Sequence, residues 1–170
     1  MGSPGAFEHD GETYVLYEGG AGAGIGLARL EGGALSRVSS EPVLVPEDLE
    51  DAAFWRGIQS IESPFALVSG DIVRVYVTAH GIEGGTAKTP SGSVAAKPND
   101  SIGLFATRDL ATFDRFPTGP VYTTISGLFG AQGEREPTVR VTADGAALYF
   151  VATDASGTIS SGLSHASTAR

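Results

Sequence analysis

Cysteine is absent from the 170 residues, which excludes disulfides, thiolate metal sites and a cysteine nucleophile. Basic residues are scarce: 11 Lys and Arg stand against 20 Asp and Glu, a formal charge of −9. No cluster of Lys or Arg occurs, so the footprint demanded by a phosphate backbone is missing and no nucleic-acid partner is expected. No apolar run approaches the roughly 20 residues of a membrane-spanning helix, so no membrane insertion is expected. Nothing with the character of a signal peptide follows Met1. A sustained 3.6-residue apolar period is also missing, which predicts few helices.

Several short signatures are missing as well. No G-x-S-x-G occurs to support a hydrolase serine, and no H-E-x-x-H to support zinc. The glycine-rich stretch at 19–26 lacks the G-x-G-x-x-G spacing of a nucleotide loop. His9, His80 and His165 are far apart; His80 follows an apolar strand, while His9 and His165 read as exposed turn residues. The acidic run Glu47, Asp48, Glu50 and Asp51 lacks the alternating oxygen ligands of a calcium loop and reads as a solvated connector. No cofactor is implied.

What the chain does contain is glycine (24), proline (9) and a repeat. Three segments open on a proline after a small or acidic residue: Ser3-Pro4, Glu62-Ser63-Pro64 and Glu136-Pro137. Each continues as a short apolar strand to a turn, at Asp10-Gly11, Gly70-Asp71 and Asp144-Gly145. A second strand rich in β-branched and aromatic residues follows, so each pair reads as a hairpin. A third strand carries Gly-Leu: Gly26-Leu27, Gly103-Leu104 and Gly162-Leu163. Pro42-Val43-Leu44 and Pro120-Val121-Tyr122 read as fourth strands of the first two units.

Four short strands per unit, repeated, is the construction of a propeller blade. The expected fold is therefore all-β: an incomplete propeller of about three four-stranded blades at 3–45, 62–123 and 136–170, within one domain. Residues 84–100 read as a long exposed loop inserted in the second blade. Three blades do not close a ring of ordinary curvature, and a blade buries its faces against its neighbours. A fragment of a longer propeller is the favoured expectation; self-association through exposed blade faces is the other.

The motifs resemble a known family. The acidic or small residue before proline, the YVxY-type strand, SIGLFAT at 101–107, the Phe113-x-Arg115 stretch leading to Pro120-Val121, and Glu136-Pro137-Thr138-Val139 together resemble the five-bladed propellers of the arabinanase, xylosidase and invertase group of glycoside hydrolases. That resemblance implies a glycan or oligosaccharide partner, a secreted or periplasmic setting, and catalytic carboxylates at the inner starts of the blades. Glycosidic cleavage uses two of them, one protonating the leaving oxygen and one attacking or activating water.

Glu62 and Glu136 are the acidic pair this implies, at what read as equivalent blade starts. In the first unit Ser3 stands where the resemblance implies an Asp, and serine cannot serve as the carboxylate. Ser3, Trp55, His80 and Arg135 are the substrate-binding candidates, Trp55 as a stacking platform and Arg135, with Glu134, as a sugar or ion-pair contact. Structural alternatives stand beside each: Glu62 as a ligand of strand-edge amides, Glu136 as an inter-blade ion pair, Trp55 as core. Three functional readings follow, namely a glycoside hydrolase, a non-catalytic glycan binder and a protein-interaction scaffold, since a fold does not fix a function.

Overall fold

The computed structural model describes residues 4–20, 24–49, 57–82, 86–89, 92–95, 99–115, 133–153 and 159–167. The described residues are almost entirely β, with no α-helix and a 3-10 turn at Pro46–Asp48. The first sheet is an antiparallel meander of β1 (Gly5–His9), β2 (Glu12–Glu18), β3 (Ile25–Glu31) and β4 (Ala34–Arg37). The second begins with β5 (Ser60–Ser69) and β6 (Ile72–Ile82). It leaves for a separate hairpin, β7 (Thr86–Thr89) with β8 (Gly92–Ala95), and returns as β9 (Asn99–Thr107) and β10 (Asp114–Arg115). The third is β11 (Gly133–Thr142), β12 (Gly145–Thr153) and β13 (Ile159–Ser167). One parallel bridge, Gly133 to Asp100, links it to the second.

Local chemistry accounts for the hairpins. Asp10 and Gly11 take φ of 52° and 78°, and Gly32 and Gly33 take 57° and 85°. Two successive positive φ values match the twist of the flanking strands, and Gly and Asp tolerate them. The Gly32-Gly33 turn also corrects the reading of the fourth strand. The chain turns back at once as β4, and Pro42-Val43-Leu44 contributes only an isolated bridge between Leu44 and Ile25. In the second unit the strand after β9 is β10, ahead of Pro120-Val121, which lies outside the described residues.

Residues 84–100 are likewise not simply a loop. Ile82 still pairs with Asn99, and the β7–β8 hairpin stands beyond that pair. Thr86-Ala87-Lys88-Thr89 and Gly92-Ser93-Val94-Ala95 hold no apolar alternation long enough to read, which is why composition concealed it. His9 and His165 are not turn residues. His9 ends β1, buried, with its Nε2 3.2 Å from the Arg108 carbonyl oxygen. His165 pairs with Ala147 inside β13.

Strand alternation divides the core into two seams. In the first, Phe7, Leu16, Ile25 and Leu27 meet Val73, Val75, Val77 and Phe105 of the second sheet. Leu44 and Leu49 from the connector complete it. In the second, Tyr76, Ile102 and Leu104 meet Val139, Leu148, Phe150 and Ala152 of the third sheet. β6 thus sends its odd-numbered apolar residues to one seam and Tyr76 to the other. Burying each large side chain contributes about 1.5–3 kcal/mol. Along the seams β1 lies against β5 and β5 against β11, so the first strands of successive sheets are neighbours. The approach is close: a Cβ added at Gly5 would stand 2.5 Å from the Pro64 carbonyl oxygen.

Candidate functional site

Proline shapes the first strands of the second and third sheets. It has no N–H to give the ladder and restricts the residue before it. At both places pairing slips: β5 against β6 between Glu62 and Phe65, and β11 against β12 between Arg135 and Thr138. The residues before proline, Ser63 and Glu136, take φ of 50° and 54°. Left-handed backbone at a non-glycine residue costs about 1–2 kcal/mol, and a bulge re-aims the side chains around it.

Each bulge frees a backbone N–H, and a side chain from the preceding sheet receives it. Ser63 N–H donates to Glu18 Oε1 at 2.7 Å, and Glu136 N–H donates to Thr78 Oγ1 at 3.0 Å. Glu18 and Thr78 occupy the same register position, each following the residue (Tyr17 or Val77) that pairs with the glycine of the third strand. The corresponding residue in β12 is Val151. The strand-edge amide role considered for Glu62 is therefore filled at Ser63 by Glu18.

The same register corrects the presumed equivalence of the two glutamates. Glu62 pairs with Thr78 and Arg135 with Val151, so the counterpart of Glu62 in the third sheet is Arg135. Glu136 corresponds to Ser63. The two glutamates still converge on one residue: Thr78 lies opposite Glu62 in the ladder and holds the amide of Glu136.

Beside Thr78 a row of charged groups crosses the sheet. The Glu62 carboxylate has Ser60 Oγ donating to Oε1 at 3.0 Å and His80 Nε2 at 3.1 Å from Oε2. The other ring nitrogen of His80, Nδ1, is 2.7 Å from Asp100 Oδ1, and Arg135 Nε is 3.7 Å from Asp100 Oδ2. His80 and Asp100 side chains are 21% and 20% exposed, whereas Glu62 and Arg135 at the two ends are 38% and 35% exposed, so the middle of the row is the more buried. Burial is the largest influence on His80 and opposes its charge. The hydrogen bond and charge of Asp100, with the charge of Glu62, outweigh burial and the opposing Arg135, leaving the pKa above the ordinary histidine value.

The structure thus gathers Glu62, His80 and Arg135 at one seam and brings Glu136 to it through Thr78. Ser3 and Trp55 lie outside the described residues. Sequence reasoning missed Asp100, Ser60, Thr78 and Glu18. Asp100 could have been found, since it directly precedes SIGLFAT, the motif that fixes β9. The remaining three carry no signal until the register is known. Among the described residues no group of three or more His, Asp or Glu is disposed to hold a metal ion.

Three antiparallel meanders with stacked faces and neighbouring first strands define a partial β-propeller. Its fold is that of the arabinanase- and xylosidase-type propeller glycosidases. An exo-1,5-α-L-arabinanase from a bovine ruminal metagenomic library superposes over 95% of this chain and 51% of its own, with a TM-score of 0.61 and 12% identity. An α-L-arabinofuranosidase from Lactobacillus brevis matches 99% of this chain and 49% of its own, with a TM-score of 0.63 and 14% identity. For a xylan β-1,4-xylosidase from Bacillus halodurans the values are 96%, 31%, 0.63 and 14%. The chain therefore spans about half or less of the structures it resembles. No family model and no curated protein matches the sequence.

Proposed function

We propose that this chain is part of a propeller that hydrolyses glycosidic bonds, with Glu62 as proton donor to the leaving oxygen and Glu136 as the second carboxylate. The observation that carries the reading is the setting of Glu62: a part-exposed carboxyl on a first strand, fixed at one oxygen by Ser60 and faced at the other by His80. Fixing both oxygens orients the acid, and orientation is a large part of catalytic advantage. Arg135 and His80 are the polar contacts for sugar hydroxyls near it. The similar structures named for arabinose and xylose chemistry make a pentosyl glycan the substrate class to try first.

The test is turnover of aryl α-L-arabinofuranosides and β-D-xylosides, and of arabinan and xylan oligosaccharides, by this chain and its E62Q and E136Q variants. The expected result is turnover that falls by a factor of about 100 or more in E62Q, the scale of general acid catalysis. Equal turnover in E62Q and the parent sequence would overturn the assignment. A second reading, glycan binding without catalysis, is favoured by Ser3 before Pro4, where the resemblance implies a carboxylate. It predicts saturable binding of the same oligosaccharides, no turnover, and affinity unchanged in E62Q.

A further inference from the structure

We propose that His80 is a positioning residue that returns the proton Glu62 gives away, through a relay of Asp100, His80 and Glu62. The proposal rests on the reading of Glu62 as proton donor and concerns how that donor is recharged.

The geometry assigns both ring nitrogens. Asp100 Oδ1 lies 2.7 Å from Nδ1, and an ionised carboxylate only accepts, so Nδ1 carries a hydrogen. That fixes the tautomer and turns Nε2 toward Glu62 Oε2 at 3.1 Å. One proton can then sit on either side of the contact, as carboxylic acid beside imidazole or as carboxylate beside imidazolium. Three strands supply the three groups: Glu62 from β5, His80 from β6 and Asp100 from β9. Pairing of Ser60 with His80 sets Glu62 two residues along the same strand, and Ser60 Oγ occupies Oε1, leaving Oε2 to the histidine.

The charged groups that act on His80 are Glu62, Asp100 and, from β11, Arg135. Arg135 Nε faces the second oxygen of Asp100 at 3.7 Å. The two carboxylates together favour the protonated imidazole despite its burial. In the catalytic step the proton of Glu62 passes to the leaving oxygen as the glycosidic C–O bond breaks, and Glu62 becomes a carboxylate. His80, neutral and unprotonated at Nε2 while Glu62 is the acid, then takes a proton from solvent at Nε2 and shares it with Oε2, restoring the acid.

The relay is read without substrate by ¹⁵N NMR titration of the histidine-labelled chain, with His9 and His165 resonances assigned by substitution. Unfolding melts verify that the D100N and E62Q variants are folded. The expected results are an Nδ1–H tautomer for His80 at high pH, a titration midpoint above that of free histidine, and a lower midpoint in both variants. An Nε2–H tautomer in the parent chain, or a midpoint unmoved by both substitutions, would overturn the relay, and the tautomer needs no variant. Failure of the glycosidase reading is separable: it shows as absent or Glu62-independent turnover whatever His80 does. Where turnover is present, H80Q is expected to lower kcat more than it changes KM and to move the alkaline limb of the pH profile to lower pH.

Discussion

Leu16, Tyr76 and Tyr149 hold one register position in three successive sheets, each beside the residue that pairs with the third-strand glycine. Leu16 is fully buried, Tyr76 is 8% exposed and Tyr149 is 43% exposed. The residue type does not set this order, because the two tyrosines differ far more than Leu16 and Tyr76 do. What differs is the next sheet. The first two positions are covered by a following meander, and the described residues supply none over the third. Composition changes with it: the first-strand residues paired with these positions are Gly5, Phe65 and Thr138. Two residues further along stand Phe7, Leu67 and then Arg140, the last of which is exposed. A blade is therefore a repeated frame whose faces are written separately for each neighbour, as in other repeat architectures.

The comparison breaks most visibly at those equivalent positions. L16A is expected to cost about 2–5 kcal/mol, the range for truncating a buried leucine. Y149A is expected to change stability by about 1 kcal/mol or less, as for surface substitutions without special contacts. Denaturant unfolding of both variants checks this, and equal losses would show that the Tyr149 face is covered in solution.

A smaller effect is expected at the acceptor position. T78V keeps the shape and leaves the Glu136 amide without its acceptor, at a cost of about 1–3 kcal/mol. T78S is expected to recover most of it, and V151T to be nearly neutral. If T78V and T78S behaved alike, the hydroxyl would have no share in holding the bulge.

The smallest expected effect is that of pH through His80. Its folded pKa lies above the ordinary 6.5. Protonation therefore favours the folded state, in full below that ordinary value, and the contribution is lost as pH rises through the raised folded pKa. Unfolding free energy measured from pH 5 to 9 is expected to fall across that window in the parent chain, and to fall less in H80Q and D100N. A stability that rises there and does so equally in all three would remove His80 as the cause.

Much of the frame is legible in the sequence because its determinants are local. Asp10-Gly11 takes left-handed backbone, and Pro64 and Pro137 interrupt the ladder wherever they stand. The fourth strand was misplaced because β4, Ala-Leu-Ser-Arg, is exposed throughout and carries no alternation to read. The site was half legible. Glu62, His80 and Arg135 stood out by residue type and place, but the equivalence of Glu62 and Glu136 failed by one residue. Counting from proline already sets Glu62 two residues before Pro64 and Glu136 one before Pro137, and the pairing partners show that this offset is kept in the ladder.

By itself, then, the sequence determined the all-β class, the repeat, the turns and the prolines that force bulges, because each follows from backbone sterics within a few residues. The tertiary structure alone decided that Asp100, His80 and Glu62 form a row, that Thr78 and Glu18 hold the amides of a neighbouring sheet, and that Tyr149 stays half open. Those outcomes depend on which strands lie side by side, and Coulomb interactions, hydrogen bonds and burial act on distance in space rather than on separation along the chain.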